Sequence, residues 1–393
     1  MKIIDWLQFG KHMTFQPDKN KPIFNWFYYK EAFSSEIVHE LIKEYNISGP
    51  VFDPFVGVGT VPLECKYLGI SSKGIDTSPL AVLVSNVKTR NYTKKQLEEI
   101  LTSLDSLLSN INENKFEICK FEWKYELFPP YMAFPRRNLD FIRRIREKIE
   151  VIDNIIIKEF YMVALLSILP QCSYIMKDGG VLKIMKNKHA GHARDLFRKK
   201  VKRMVKDYES YGINHEEPNI KMGNATHYDL EDSSINAIIT SPPYINNIDY
   251  SKIYGLELSL IYPNFDFNSL RSTMLRSFIG KNPNVKVEED YLNEVLTSMI
   301  GPNPPLIAYT YFGDMFNVVM EANRVLNKNG IFACVIGNSI MEKSHIKADE
   351  MIARFGEDLG MEAEIRVGLY RKTEVQVKGK IPVRESCVIL KKV

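Results

Sequence analysis

Val51-Phe52-Asp53-Pro54-Phe55-Val56-Gly57-Val58-Gly59-Thr60 opens on two apolar residues, passes through an acid and a proline, and closes on a glycine pair. Gly49-Pro50 breaks the chain just before it, so Val51-Phe52 reads as the start of a short buried strand. Glycine at 57 and 59 permits a tight turn and lets backbone N–H groups approach a ligand closely. Val61 to Tyr67 then reads as a helix ending at Gly69. In a strand–loop–helix unit such a loop is where nucleotides and their analogues bind. The same glycine spacing also serves as a plain structural turn, so the neighbours of the loop must decide.

Downstream, Ser72-Lys73-Gly74-Ile75-Asp76 reads as a second strand ending in a carboxylate, and Pro79 to Val87 as the helix after it. This is the first half of a doubly wound sheet. Asp76 stands where an acid accepts hydrogen bonds from a ribose diol. The third glycine of the dinucleotide fingerprint is missing, with Pro62 in its place, and no Lys-Ser/Thr pair follows the loop. A phosphate-cradling loop is therefore excluded, and an adenosine with a small non-phosphate tail suits the pattern better than a dinucleotide. Upstream, Ser34-Ser35-Glu36 before Ile37, Val38, Leu41 and Ile42 predicts a capped helix. Met1 to Lys21 is mixed and polar and predicts no element.

From Thr93 to about Tyr211 the pattern changes to long, charged segments of helical period, a helical insertion in the sheet. Strand character returns at Ile220 to Met222 and at Ala237 to Ile239. Residues 245–310 are irregular, with Pro263, Gly280, Pro283 and Pro302 to Pro305 marking loops. A helix from Phe312 to Leu326 is expected to end at Asn329-Gly330, followed by a buried strand Ile331 to Ile336. A helix from Ala348 to Leu359 and a closing strand pair, Ala363 to Tyr370 and Ser386 to Leu390, complete the chain. The expected organisation is a cofactor-binding first half (residues 1–92), a basic helical insertion (93–215) and a catalytic second half (216–393).

The 393 residues, 45% hydrophobic and 25% charged, are those of a globular protein. No apolar run approaches the ~20 residues that span a bilayer, and Met1 to Trp6 lacks the features of a signal peptide. Five cysteines without close pairing argue against a disulfide framework and a zinc site; a reducing, cytoplasmic, prokaryotic setting is expected. The net charge of +4 is small, but its distribution is uneven. Arg136, Arg137, Arg143, Arg144 and Arg146 form one basic cluster, and the stretch from Lys183 to Lys206, with Lys199 and Lys200, forms another. Local excess of this kind is what a phosphate-backbone footprint requires, and it is also what a solvated helix face carries. His189 and His192 lie within it and read as surface or phosphate-facing residues ahead of a metal pair.

Asn236 to Thr240 runs as a strand straight into Ser241-Pro242-Pro243-Tyr244. Two prolines fix φ and remove two N–H donors, which leaves the Ser241 and Pro242 carbonyls as rigid acceptors suited to an amino group. Tyr244 supplies an aromatic plate on which a base can stack. An ordinary proline turn gives the same tetrapeptide, and it is the pairing with the upstream glycine loop that favours chemistry.

With both motifs quoted, the chain resembles the S-adenosylmethionine-dependent DNA amino-methyltransferases, which make N4-methylcytosine or N6-methyladenine. That resemblance covers most of the chain outside the helical insertion. It implies a doubly wound, seven-stranded class I methyltransferase sheet, Rossmann-like, with a helical insertion. It implies S-adenosylmethionine as cofactor, held at its methionine end by the segment Pro22 to Phe33, with Trp26, Tyr29, Lys30 and Phe33, by Asp53, Pro54, Phe55, Gly57, Gly59 and Thr60 in the loop, by Asp76 and Thr77 at the ribose, and by Asn224 and Ala225 near the adenine. Ser241, Pro242, Pro243 and Tyr244 are the implied catalytic residues. Asn247 to Tyr250, Glu257, Val335 to Ser339 and Arg384 to Ser386 are similar to segments of bacterial enzymes carrying the same turn. Double-stranded DNA is the implied partner, with a cognate restriction endonuclease as a second; Arg136, Arg137, Lys199, Lys200, Arg271 and Arg276 are the candidates for DNA contact. Serine at the head of the turn points to cytosine N4 ahead of adenine N6, and an RNA base amine is a further alternative. Asp249 and Glu257 stand as candidate bases or as structural groups. No cysteine follows a proline, against carbon-5 cytosine chemistry.

Overall fold

Eight strands form one sheet: β1 (Lys2–Asp5), β2 (Val51–Asp53), β3 (Ser72–Asp76), β4 (Asn219–Met222), β5 (Ile235–Thr240), β6 (Leu326–Gly337), β7 (Met361–Val375) and β8 (Gly379–Lys392). The computed structural model describes residues 1–109, 111, 119–246, 248–277, 289–341, 344–375 and 379–393, with only the backbone of 289, 372–375 and 379–380. Asn247, Gly280 and Pro283, singled out in the sequence, lie outside the described residues. The strand order is β1-β7-β8-β6-β5-β2-β3-β4, and every neighbouring pair is parallel except the two that β8 makes. One antiparallel strand in an otherwise parallel sheet gives the predicted doubly wound class, with eight strands and not seven. The additional strand is β1, which pairs with the β7 edge from Lys2↔Glu364 to Asp5↔Val367; four residues at a sheet edge carry too little periodicity to be read from the sequence.

The central strands are apolar on both faces, as strands covered on both sides must be. Ile238, Phe332, Cys334 and Ile336 enter one layer, while Ala237, Ile239, Ala333 and Val335 enter the other. Helices α1 (Ser35–Glu44) and α2 (Thr60–Tyr67) supply Ile37, Val38, Leu41, Val61 and Cys65 to the second layer. As expected, Ser34 caps α1, its hydroxyl accepting from the Glu36 N–H at 3.4 Å. A third apolar body joins α3 (Pro79–Thr89) to the insertion, whose longer helices are α4 (Lys94–Ser109), α5 (Arg136–Glu150), α6 (Ile155–Ile168) and α7 (Ala193–Tyr211). Leu80, Val84 and Val87 of α3 share this core with Ile142, Phe160 and Phe197. The insertion also carries a two-stranded ribbon, Ile175–Asp178 paired with Val181–Ile184, which its helical pattern did not announce.

The first face is closed by α8 (Leu306–Val325) and α9 (Ala348–Asp358). Helix α8 starts earlier and stops sooner than predicted. Asn329 takes φ +64 in a turn inside β6 and does not terminate the helix.

Candidate active site

The glycine loop leaves β2 at Asp53, whose side chain is 2% exposed. Its Oδ1 accepts from the Phe55 N–H at 3.0 Å and from Thr240 Oγ1 at 2.6 Å. Burial pushes this carboxyl up to about 7 against the two hydrogen bonds that favour its charge. Thr240 is the last residue of β5, immediately before Ser241-Pro242-Pro243-Tyr244. One side-chain hydrogen bond therefore ties the two motifs together.

The loop itself requires glycine twice, at Gly57 with φ +50 and Gly59 with φ +79. A Cβ on Gly59 would also come within 3.0 Å of Ser85 Oγ. That same Ser85 hydroxyl donates to the Gly57 carbonyl at 2.8 Å, so α3 clamps the loop from the side. Asp76 holds it from the other end: its Oδ2 accepts from the Gly57 N–H at 3.0 Å and its Oδ1 from the Ser78 N–H at 2.8 Å. Burial raises Asp76 to about 6, with those backbone bonds opposing. After β4, Asn224 Oδ1 accepts from the Thr226 N–H and hydroxyl, both at 2.9 Å.

Loop, acid and turn open on a single cavity with about 1040 Å³ of empty space, continuous with solvent. Pro54, Phe55, Gly57, Asp76, Thr77, Asn224 and Ala225 line it, as do all four residues of the proline turn. Asp53, Gly59 and Thr60 sit behind the lining, buried. Of the segment Pro22 to Phe33, Lys30 is exposed, Phe33 is packed in the second sheet layer and Trp26 is buried in the core, so none of the three lines the cavity, whereas Tyr29, with Glu31 beside it, does. Tyr29 stacks on Tyr254 with ring centroids 4.3 Å apart and planes 7° from parallel, and the Tyr254 hydroxyl donates to Glu31 Oε2 at 2.6 Å. Tyr254, with Ser251, Leu258, Leu270, Thr273 and Met274, comes from the irregular stretch after the turn and also lines the cavity. Nothing in the spacing of that stretch marked these residues, although its tyrosines Tyr250 and Tyr254 are a visible signal.

The lining has two carboxylates, Asp76 and Glu31, and among the described residues no lysine or arginine. A phosphate chain would find no counter-charge there, whereas an adenosine bearing a cationic tail meets acceptors at both ends. These residues fit S-adenosylmethionine.

In the turn, no described residue donates to the Ser241 or Pro242 carbonyl. The Tyr244 ring rests on Gly337 at the end of β6, where a Cβ would approach it to 2.9 Å. Burial, with Glu385 nearby, drives the Tyr244 hydroxyl well above its ordinary range, and Ser241 hydrogen-bonds to it. Asp249 caps the helix Tyr250–Ile253 and pairs with Arg271 at 3.2 Å, a structural post and not a free base. Glu257, 2% exposed, pairs with Lys177 at 3.0 Å.

Of the candidate DNA contacts, Arg271 is consumed by Asp249, Ser251 and Glu126, and Arg276 forks onto Asp314 at 2.9 and 2.5 Å. Both are turned into the protein by carboxylates whose positions in the sequence gave no sign of pairing. Lys200 donates to the Asn25 carbonyl at 3.2 Å, and burial lowers it to about 8. Arg136, Arg137 and Lys199 are exposed. Other cations of the two clusters also serve the fold. Arg143 and Arg146 donate to the Phe121 and Leu260 carbonyls, and Lys188 to those of Pro170, Ser173 and Ile175. His192 hydrogen-bonds with Asp195 at 2.7 Å.

The chain is 26% identical to the type II methyltransferase M.AvaI of Nostoc sp., over 90% of this chain and 82% of that protein. It is 28% identical to M.BsoBI of Geobacillus stearothermophilus, over 83% of this chain and 71% of that one. M.MvaI of Kocuria varians is 20% identical over 77% and 73%. No family model matches the chain. Among solved structures, a SAM-dependent methyltransferase from Methanosarcina mazei covers 90% of this chain and 97% of its own at 9% identity, with a TM-score of 0.31. The rRNA methyltransferase aviRa from Streptomyces viridochromogenes gives 0.28 at 11% identity, over 92% and 85%. Likeness this loose adds nothing to the fold described above. Along most of its length the chain is similar to relatives of one kind, all type II methyltransferases, and its two motifs, which resemble those of the S-adenosylmethionine-dependent amino-methyltransferases, meet at one cavity.

Proposed function

We propose that this protein is a DNA methyltransferase that modifies the exocyclic N4 amine of cytosine, taking the methyl group from S-adenosylmethionine. The observation that carries the reading is the Thr240–Asp53 hydrogen bond, which fixes an amine-accepting turn to the rim of a cavity built for an adenosine. Asp76 would take the ribose hydroxyls, Phe55 and Ala225 the adenine faces, and Glu31 the cationic methionine end. S-adenosylmethionine, when bound, supplies a methyl group already activated on a sulfonium, so the residues of this chain have chiefly to position the acceptor. The base must first leave the duplex, and Tyr244 offers it a face to stack on. The Ser241 and Pro242 carbonyls, without partners among the described residues, accept the hydrogens of the amine. Holding those hydrogens draws the nitrogen lone pair out of conjugation with the ring and toward the methyl group. Serine at position 241, where aspartate or asparagine is typical of adenine enzymes, favours cytosine.

Nucleoside mass spectrometry of duplex DNA incubated with protein and S-adenosylmethionine tests this directly. N4-methyldeoxycytidine is expected. N6-methyldeoxyadenosine would overturn the base assignment, and modification of RNA alone would overturn the choice of nucleic acid. Sequencing the methylated DNA of an expressing host then gives the site, and with it the sequence that any cognate endonuclease would share.

A further inference from the structure

The ribbon Ile175–Asp178/Val181–Ile184 stands against the segment that follows the proline turn, and the proposed mechanism does not use it. Its tip, Gly179-Gly180, turns through φ +56 at Gly179. A side chain at Gly180 would press on Ile248 at 3.1 Å, four residues beyond Tyr244. The second strand of the ribbon packs against the helix Tyr250–Ile253, which follows the turn. Alternation divides the ribbon into two faces. Ile175, Lys177 and Leu182 face inward, and Lys177 fixes the ribbon to the cavity wall through Glu257 at 3.0 Å and through the Tyr254 ring, 3.7 Å from its ammonium. Met176, Asp178, Val181 and Lys183 face outward, and the register pairs Asp178 with Val181 at the tip and Met176 with Lys183 behind it.

That outer face is unusual for a small ribbon. Met176 is 42% and Val181 58% exposed, two apolar side chains held in water on a ribbon whose tip abuts Ile248, four residues beyond the turn that would receive an extruded base. The acid among them, Asp178, is neutralised by Lys183 at 2.6 Å and lies within reach of Lys30. Lys183, on the same face, and Lys30, near Asp178, are both exposed and give the patch positive charge. Apolar wedges bordered by cations are what proteins place between base steps when they unstack a duplex.

We propose that this ribbon is the element that opens the DNA: Val181, backed by Met176, enters the stack beside the target base and fills the space that base leaves. The lysines hold the flanking phosphates, and the Lys177–Glu257 anchor transmits the position of the ribbon to the cavity wall. This rests on the reading of the protein as a methyltransferase of duplex DNA, and it adds the residues that extrude the base.

The test compares wild type with a Val181→Ala/Met176→Ala variant on two duplexes carrying the methylated site: one fully paired, the other with a mismatched base opposite the target. Both positions are exposed, so the thermal midpoint should be unchanged. On the paired duplex kcat/KM should fall about tenfold or more, while the mismatched duplex, whose base is already loosened, should restore it to within about threefold of wild type. Affinity for S-adenosylhomocysteine, measured by calorimetry, should not move. Wild-type activity on the paired duplex, or an equal loss on both duplexes, would overturn the wedge. If wild type methylates neither duplex, it is the functional reading that falls.

Discussion

Asp53 shows how one buried carboxyl can serve position without serving chemistry. Free in the unfolded chain it loses its proton near 3.8, whereas in the fold it keeps it to about 7. Between those values the folded state holds a proton that the unfolded state has lost, so the contribution of this group to stability is full below about 4 and disappears as the pH climbs through 7. Asp53→Asn keeps an oxygen for the Phe55 and Thr240 donors and removes the titration. The thermal midpoint of the variant relative to wild type should therefore rise between pH 4 and 8, with one pKa unit corresponding to about 1.4 kcal/mol. A difference that stays flat with pH would show that burial does not hold the proton. Tyr244 predicts a different separation. Tyr244→Ala should lower kcat/KM on DNA roughly tenfold or more, since a base–aromatic stack is worth about 1–3 kcal/mol, while calorimetric binding of S-adenosylhomocysteine stays near wild type. Asp76→Ala should reverse that pattern, because it strips the acceptor from the Gly57 and Ser78 amides on the cofactor side.

Among the elements, those whose period or punctuation is strong were legible in the sequence. Strand β3, helix α2 and the cap at Ser34 fall where the alternation and the glycine breaks put them. The part of the cavity lining contributed by the stretch after the turn was not legible, because Tyr254, Leu270 and Met274 are brought to it by long-range packing of short helices with no fixed spacing from either motif. The basic clusters misled for a related reason. A guanidinium looks the same in sequence whether it meets a phosphate or, like Arg276 on Asp314, a carboxylate 38 residues away. The ribbon gives the element-scale prediction. Lys177→Met leaves Glu257 buried and uncompensated, and its Oε2 already has no hydrogen-bond partner among the described residues. Removing one partner of a buried pair costs roughly 3–5 kcal/mol, and the partial exposure of Lys177 puts this case at the low end. The double change Lys177→Met/Glu257→Gln should recover most of that loss in chemical denaturation; no recovery would mean that the pair is not what holds the ribbon.

Across the whole molecule, the insertion shares a core with α3 and with the segment before α1. The Trp26 indole donates to Asp207 Oδ2 of α7 at 3.2 Å, and Tyr92 packs edge-on against Phe160 and Tyr208. Deleting residues 94–211 would leave Leu80, Val84 and Val87 facing water, so the shortened chain should lose its near-ultraviolet circular dichroism and aggregate. A soluble, cooperatively melting product would show that the sheet stands without the insertion. The same architecture gives the Thr240–Asp53 bond a consequence beyond shape. Because one donor and one acceptor connect the glycine loop to the proline turn behind the cavity lining, under the proposed function any free energy passing through that contact is common to cofactor and target base. Linkage is reciprocal: whatever factor the cofactor applies to the affinity for the target, the target must return to the cofactor. Removing the hydroxyl at Thr240 would cut that exchange in both directions by the same factor.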